Sequence, residues 1–145
     1  MISSSTEVLV TGTFNVMHAG HVRLLEFASR YGKVTVGINA DSYLKEKYGD
    51  QAVSLVDRSY VLSSCKYVNN IVMFREDEPS NLILRLRPRY YIKGPDYSKE
   101  GLIELGAIQR VGAKVIIHPA HKEYNSSELV DALPDTAFDK LNKYS

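Results

Sequence analysis

The chain holds a single cysteine, Cys65, in 145 residues, so no disulfide can close within it. Charge of one sign is also lacking. Eighteen Lys+Arg stand against 17 Asp+Glu, a net +1 with histidines neutral, and without a basic excess the surface has no electrostatic grip on nucleic acid. No apolar run approaches the ~20 residues that a membrane span requires. Glycine (9) and proline (5) are too few for a fibrous or disordered chain. Residues 1–7 show no basic stretch leading into an apolar core, so no secretory leader is expected there. With the lone cysteine, this points to a reducing cytoplasm. Cys65 falls within an expected helix and reads as a buried, inert thiol rather than a nucleophile.

What is present suits one domain. The length matches the usual ~100–150 residues, and 44% hydrophobic residues are enough for one core. Short apolar, β-branched runs at 7–11, 33–39, 70–74, 89–93 and 113–118 predict strands. Between and after them, 18–31, 54–68, 77–86, 98–112 and 125–133 predict helices from apolar spacing, from Ser54, Pro79 and Asn125 near their starts, and from Gly32 and Gly112 at their ends. The alternation predicts an α/β fold: one Rossmann-like, doubly wound domain with a five-stranded parallel sheet, over residues 1–133, followed by a polar tail at 134–145. Ligands of such sheets bind beyond the carboxyl ends of the strands. That rule selects the loops 12–20, 40–53, 75–78, 94–98 and 119–127.

The first of these loops carries the chemistry. Gly12 ends the first strand and frees the backbone to turn. The helix after it opens near His18, so free N–H groups and a positive dipole end face the crevice, an anion site. His18 and His21 are three apart and share a face, and Gly20 between them leaves room for a phosphate. Two imidazoles there can donate to a polyphosphate and to charge growing on phosphorus. The dinucleotide fingerprint G-x-G-x-x-G and the P-loop are both absent. Bland readings are a structural histidine pair or a metal pair, for which His118 or His121 would be the third ligand. No Cys or carboxylate cluster favours the metal, and none is expected to be held by protein side chains.

Residues 12–21, Gly-Thr-Phe-Asn-Val-Met-His-Ala-Gly-His, resemble the G-x-F-D-x-x-H-x-G-H signature of the cytidylyltransferase-like nucleotidyltransferases. Among these, the chain is most similar to the ADP-heptose-type sugar-phosphate adenylyltransferases and to the glycerol-3-phosphate cytidylyltransferases. The resemblance implies transfer of a nucleoside monophosphate from ATP to a sugar 1-phosphate with release of pyrophosphate, or, alternatively, a CTP-dependent reaction on glycerol 3-phosphate or a similar ester. Mg²⁺ would arrive with the triphosphate, and self-association as a homodimer is implied.

Carried over residue by residue, the resemblance implies His18, His21, Lys45 and Arg58 as catalytic. Gly12, Thr13, Phe14, Asn15 and Gly20 would bind the nucleotide, with Lys93, Gly94 and Asp96 from a stretch similar to V-K-G-G-D-Y and Tyr124, Asn125, Ser126 and Ser127 where relatives have I-S-T-T. Asp41, Lys47 and Lys66 would meet the acceptor. Asn15 stands where the family usually has aspartate. This departure supports a rival reading, a nucleotide-binding sensor without catalysis; a third is a structural or interaction domain. Arg85, Arg87 and Arg89 read as solvated helix-end surface. In the enzyme reading, an acceptor phosphate oxygen attacks the α-phosphorus directly, a reaction governed by positioning and charge neutralisation, and His18→Ala is expected to lower turnover at least ~10²-fold with little change in the thermal melt.

Overall fold

A computed structural model describes residues 6–94 and 102–119. Five strands, β1 (Val8–Gly12), β2 (Val34–Asn39), β3 (Asn70–Phe74), β4 (Tyr90–Lys93) and β5 (Lys114–Ile117), form one sheet in the order β3-β2-β1-β4-β5. Every pairing is parallel. Alternation along β1 explains why both faces are covered. Val8 and Val10 point into one apolar layer with Leu25, Ala28 and Leu62. Leu9 points into the other, with Leu82, Ile83, Tyr91 and Ile108.

The first layer packs under α1 (Ala19–Ser29) and α3 (Leu55–Ser63), the second under α4 (Ser80–Leu86) and α5 (Leu105–Val111). The fold is therefore the doubly wound α/β domain expected, with its switch in strand order between β1 and β4. The loops leaving these two strands diverge, and a crevice opens between them. Among the described residues no helix is long and apolar enough to cross a membrane.

Several boundaries differ from the pattern in the letters. An extra helix, α2 (Asp41–Tyr48), with a 3₁₀ turn at Gly49–Gln51, occupies what was expected to be loop. Leu44 is its one buried residue, so it has no apolar stripe for periodicity to detect. α3 stops at Ser63 rather than Val68, and Cys65 lies beyond it in a turn, with Cys65 N donating to Leu62 O at 3.0 Å. The thiol is only half-buried. α4 begins at Ser80, with Pro79 as its cap, not at Asp77. α5 starts at Leu105, and the expected earlier part at 98–101 lies outside the described residues, as do the expected helix at 125–133 and the tail at 134–145. Arg85, Arg87 and Arg89 are exposed, as read.

Candidate active site

At the carboxyl edge of the sheet, over the switch point, lies a cleft of about 570 Å³. Its floor is the β1–α1 turn. Gly12 is glycine because Phe14 folds back on it: a Cβ there would stand 3.1 Å from Phe14 Cε2. Phe14 adopts a left-handed φ of 47° and is buried, a strained placement for a non-glycine residue. Its ring lies 5.1 Å from that of His21, centroid to centroid.

His18 and His21 form a reciprocal cap on α1. The Gly20 N–H donates to His18 Nδ1 at 3.0 Å, and the His18 N–H donates to His21 Nδ1 at 3.2 Å. A nitrogen that accepts carries no proton, so both neutral rings hold theirs on Nε2. The rings lie 4.0 Å apart, tilted by 32°. Gly20 has a structural purpose of its own: a Cβ on it would come within 2.8 Å of His18 Cε1. It leaves room for the capping ring itself. Burial, and then the neighbouring His18, push the His21 pKa down to about 4, so this ring is neutral at physiological pH.

That depression has a testable consequence for stability. The unfolded histidine, at its ordinary value near 6.5, takes up a proton before the folded one does. Stability present above pH 6.5 is therefore lost as pH falls toward 4. His21→Gln keeps an acceptor at the position suited to a reciprocal cap but cannot titrate. Its melting temperature is expected to fall less steeply than wild type between pH 6.5 and 4, measured by thermal melts across that range; parallel curves would contradict the assignment.

The cleft brings together His18, His21, Gly12, Thr13, Phe14, Gly20, Lys47, Lys93 and Gly94. Lys93 is buried, with its Nζ 3.9 Å from Glu104 Oε2 and 5.6 Å from the Tyr91 ring centroid. Other expected site residues are placed outside this lining. Lys45 is exposed on α2 outside the cleft, and Lys47, half a turn on, takes its place in the lining. Arg58 is 1% exposed and reaches no ligand space. Its Nε donates to Val53 O (2.9 Å), its Nη1 to Thr13 O (3.1 Å) and Asn39 O (2.7 Å), and its Nη2 to Asp41 Oδ1 (3.1 Å). It is a clasp binding three loops. Asp41 Oδ1 accepts from that clasp and from the Leu55 N–H, while its carboxylate stays about half exposed.

Asn15 is likewise turned away from the cleft: its Nδ2 donates to Gln51 O at 3.1 Å and its Oδ1 accepts from Val53 N at 2.8 Å. The amide supplies both a donor and an acceptor, which aspartate could not. Lys66 borders a separate apolar groove of about 440 Å³ beyond His18, its ammonium 5.2 Å from the Tyr67 ring centroid. Asp96, Tyr124, Asn125, Ser126, Ser127 and His121 lie outside the described residues.

Other cleft residues were not anticipated as ligands. Asn39 ends β2, and Asp77, Glu78 and His118 follow strand ends; the rule selected the loop that holds Asp77 and Glu78 and stopped one residue short of Asn39 and His118. Arg23 and Tyr43 are on helices, where no local signal marks them. Burial, and then the charge of Arg30, lower the His118 pKa. Glu104 is buried beside Lys93 and had no signal in the letters. Among the described residues, no three of His, Cys, Asp and Glu converge as a metal cluster.

A family profile described as cytidylyltransferase-like matches residues 9–131. The bifunctional protein HldE of Geobacter metallireducens is 32% identical over 111 residues, covering 74% of this chain and 23% of its own length. The chain thus spans about a quarter of that relative. Two solved structures share the fold. A lipopolysaccharide core biosynthesis protein from Thermoplasma volcanium superposes with a TM-score of 0.66 at 18% identity, over 82% of this chain and all of the other. Pantoate-beta-alanine ligase from Francisella tularensis, complexed with beta-gamma ATP and beta-alanine, does so at 0.53 and 18%, over 99% and 71%.

Proposed function

Because the chain belongs to the cytidylyltransferase-like family, we propose that its cleft is the active site of a nucleotidyltransferase. A phosphate oxygen of the acceptor attacks the α-phosphorus of a nucleoside triphosphate. The bond from that phosphorus to the bridging oxygen breaks, and pyrophosphate leaves. The observation that carries this reading is the cap pairing of His18 and His21. Both rings spend Nδ1 on the backbone, so each keeps an Nε2–H to give to phosphate oxygens, held without reorganisation. Lys47, Lys93 and Arg23 add positive charge around the same space.

Mg²⁺ fits here as a companion of the triphosphate: it prefers phosphate oxygens and water to an all-protein cage, and Asp77 and Glu78, carboxylates that line the cleft, would accept from its water shell. When bound it neutralises charge on the phosphates.

The similarity of residues 91–97 to the heptose-phosphate enzymes supports ATP and a sugar 1-phosphate as substrates, and self-association as a homodimer is proposed from the family resemblance alone. CTP with glycerol 3-phosphate is the second reading. The sensor reading loses its support, since Asn15 bonds Gln51 and Val53 and its substitution for aspartate removes no group from the cleft. The test is a matrix of nucleoside triphosphates against phosphate esters with pyrophosphate detection. Release with ATP and a hexose or heptose 1-phosphate is expected. Release with CTP and glycerol 3-phosphate alone would replace the substrate assignment. Triphosphate-induced thermal stabilisation with no release from any pair would overturn catalysis.

A further inference from the structure

One buried polar chain beneath the cleft has no part in the reading above. The Tyr91 hydroxyl donates to Glu104 Oε2. A tyrosine has one proton to give, so Thr11, whose Oγ1 lies 2.7 Å from the Tyr91 oxygen, must be the donor to it. The chain of bonds runs Thr11 to Tyr91 to Glu104, from the central strand β1, across β4, to the residue capping α5. All three side chains are buried, and the carboxylate ends 3.9 Å from Lys93 Nζ. Thr11 and Glu104 lie outside every motif singled out in the sequence. A buried carboxylate is costly unless paired, and here the partners are a hydroxyl and the one ammonium that enters the cleft from β4.

We propose that Glu104, oriented by Tyr91 and Thr11, is a positioning residue that holds the Lys93 ammonium charged and directed at bound polyphosphate. The idea rests on the cleft being a phosphate site. Burial works against a charged Lys93 and Glu104 works for it. The other charged or titratable groups lining the cleft are His18 at the cap of α1, His21 and Arg23 from α1, Tyr43 and Lys47 from α2, Asp77 and Glu78 after β3, and His118 after β5. Arg23 and Lys47 oppose the charged lysine. Asp77 and Glu78 stand on the loop after β3, and Glu78 Oε2 already takes both the backbone and side chain of Ser80. Among the described residues, Glu104 is an anion placed to hold Lys93, with Oε2 3.9 Å from Nζ.

Simple Coulomb repulsion makes the opposite forecast. Removing an anion from a phosphate site should tighten anion binding at every pH. If Glu104 positions Lys93, Glu104→Gln should instead weaken binding selectively on the alkaline side. The first measurement needs no ligand: an NMR titration of the Lys93 side chain in wild type and Glu104→Gln. The midpoint is expected to drop by about one pH unit or more. The second is calorimetric affinity for inorganic tripolyphosphate between pH 6.5 and 9.5. Its alkaline decline should move down in parallel, and Lys93→Arg in the Glu104→Gln background should abolish the decline, because guanidinium stays charged.

Tyr91→Phe removes only the hydroxyl and should shift both measurements in the same direction, which keeps the test open should the Glu104 variant fail to fold. An unchanged Lys93 midpoint overturns the proposal, and so does a shifted midpoint with uniformly tighter tripolyphosphate binding. A wild type that binds no tripolyphosphate at any pH, with the midpoint shifted as expected, overturns the phosphate-site reading instead.

Discussion

Replacing His18 by asparagine should lower turnover at least a hundredfold while the melting temperature stays close to that of wild type. Asparagine is among the best residues at a helix N-cap, and its side-chain oxygen can accept the N–H that His18 Nδ1 now accepts from Gly20. What it cannot supply is the outward Nε2–H. Loss of one preorganised donor to developing charge typically costs ~10²–10³ in rate. Alanine is a poorer test than the sequence suggests. His18→Ala removes the donor and the cap together, so about 1 kcal/mol of stability goes with it, a drop of a few degrees rather than an unchanged melt. Steady-state pyrophosphate release and thermal melts on both variants separate the two roles. Normal turnover in His18→Asn would remove His18 from the chemistry.

The second large effect falls on stability. Arg58→Met should cost about 3–5 kcal/mol in urea unfolding, the range for removing one partner of a buried ionic network. The loss lies mainly with the carbonyls of Val53, Thr13 and Asn39, which would be left without their donor. The Asp41 carboxylate is about half exposed, so the ion pair itself is screened and adds less. Set against the 5–15 kcal/mol that ordinary domains possess, this threatens folding. Lysine should rescue little, since one ammonium cannot reproduce the fork that reaches three loops. A phosphate-binding Arg58 would behave otherwise: the methionine variant would unfold like wild type and lose triphosphate affinity alone.

Arg58 also shows where reading the letters stops. Its position at the start of a helix was visible, and so was the resemblance to an arginine of related enzymes. Its direction was not, because that depends on Thr13, Asn39 and Val53 being carried to one point by three separate loops. The placing of Lys45 outside the cleft lining was hidden for a related reason. With α2 unseen, nothing in the letters could say which of Lys45 and Lys47 faces the crevice, and a shift of two residues on a helix turns a side chain to the other side.

The strands were legible because parallel, doubly covered strands are written as apolar, β-branched runs such as 8–10 and 34–38. The histidine pair was legible because both members fall in the first turn of a helix directly after β1. That the rings cap the helix with Nδ1, and so present Nε2, needed coordinates. Glu104 was invisible: its partner Tyr91 is 13 positions away, and the pair forms only when β4 and the start of α5 are packed together.

The central claim is that two imidazoles at the mouth of α1 hold the phosphates of a nucleotide. The most direct measurement is a crystal structure of the protein with a non-hydrolysable nucleoside triphosphate analogue. Phosphate oxygens within hydrogen-bond distance of Nε2 of both His18 and His21, with each Nδ1 still on its backbone N–H, are the expected result. Phosphates bound at the opposite edge of the sheet, or at the Lys66 groove with both rings unengaged, would contradict it.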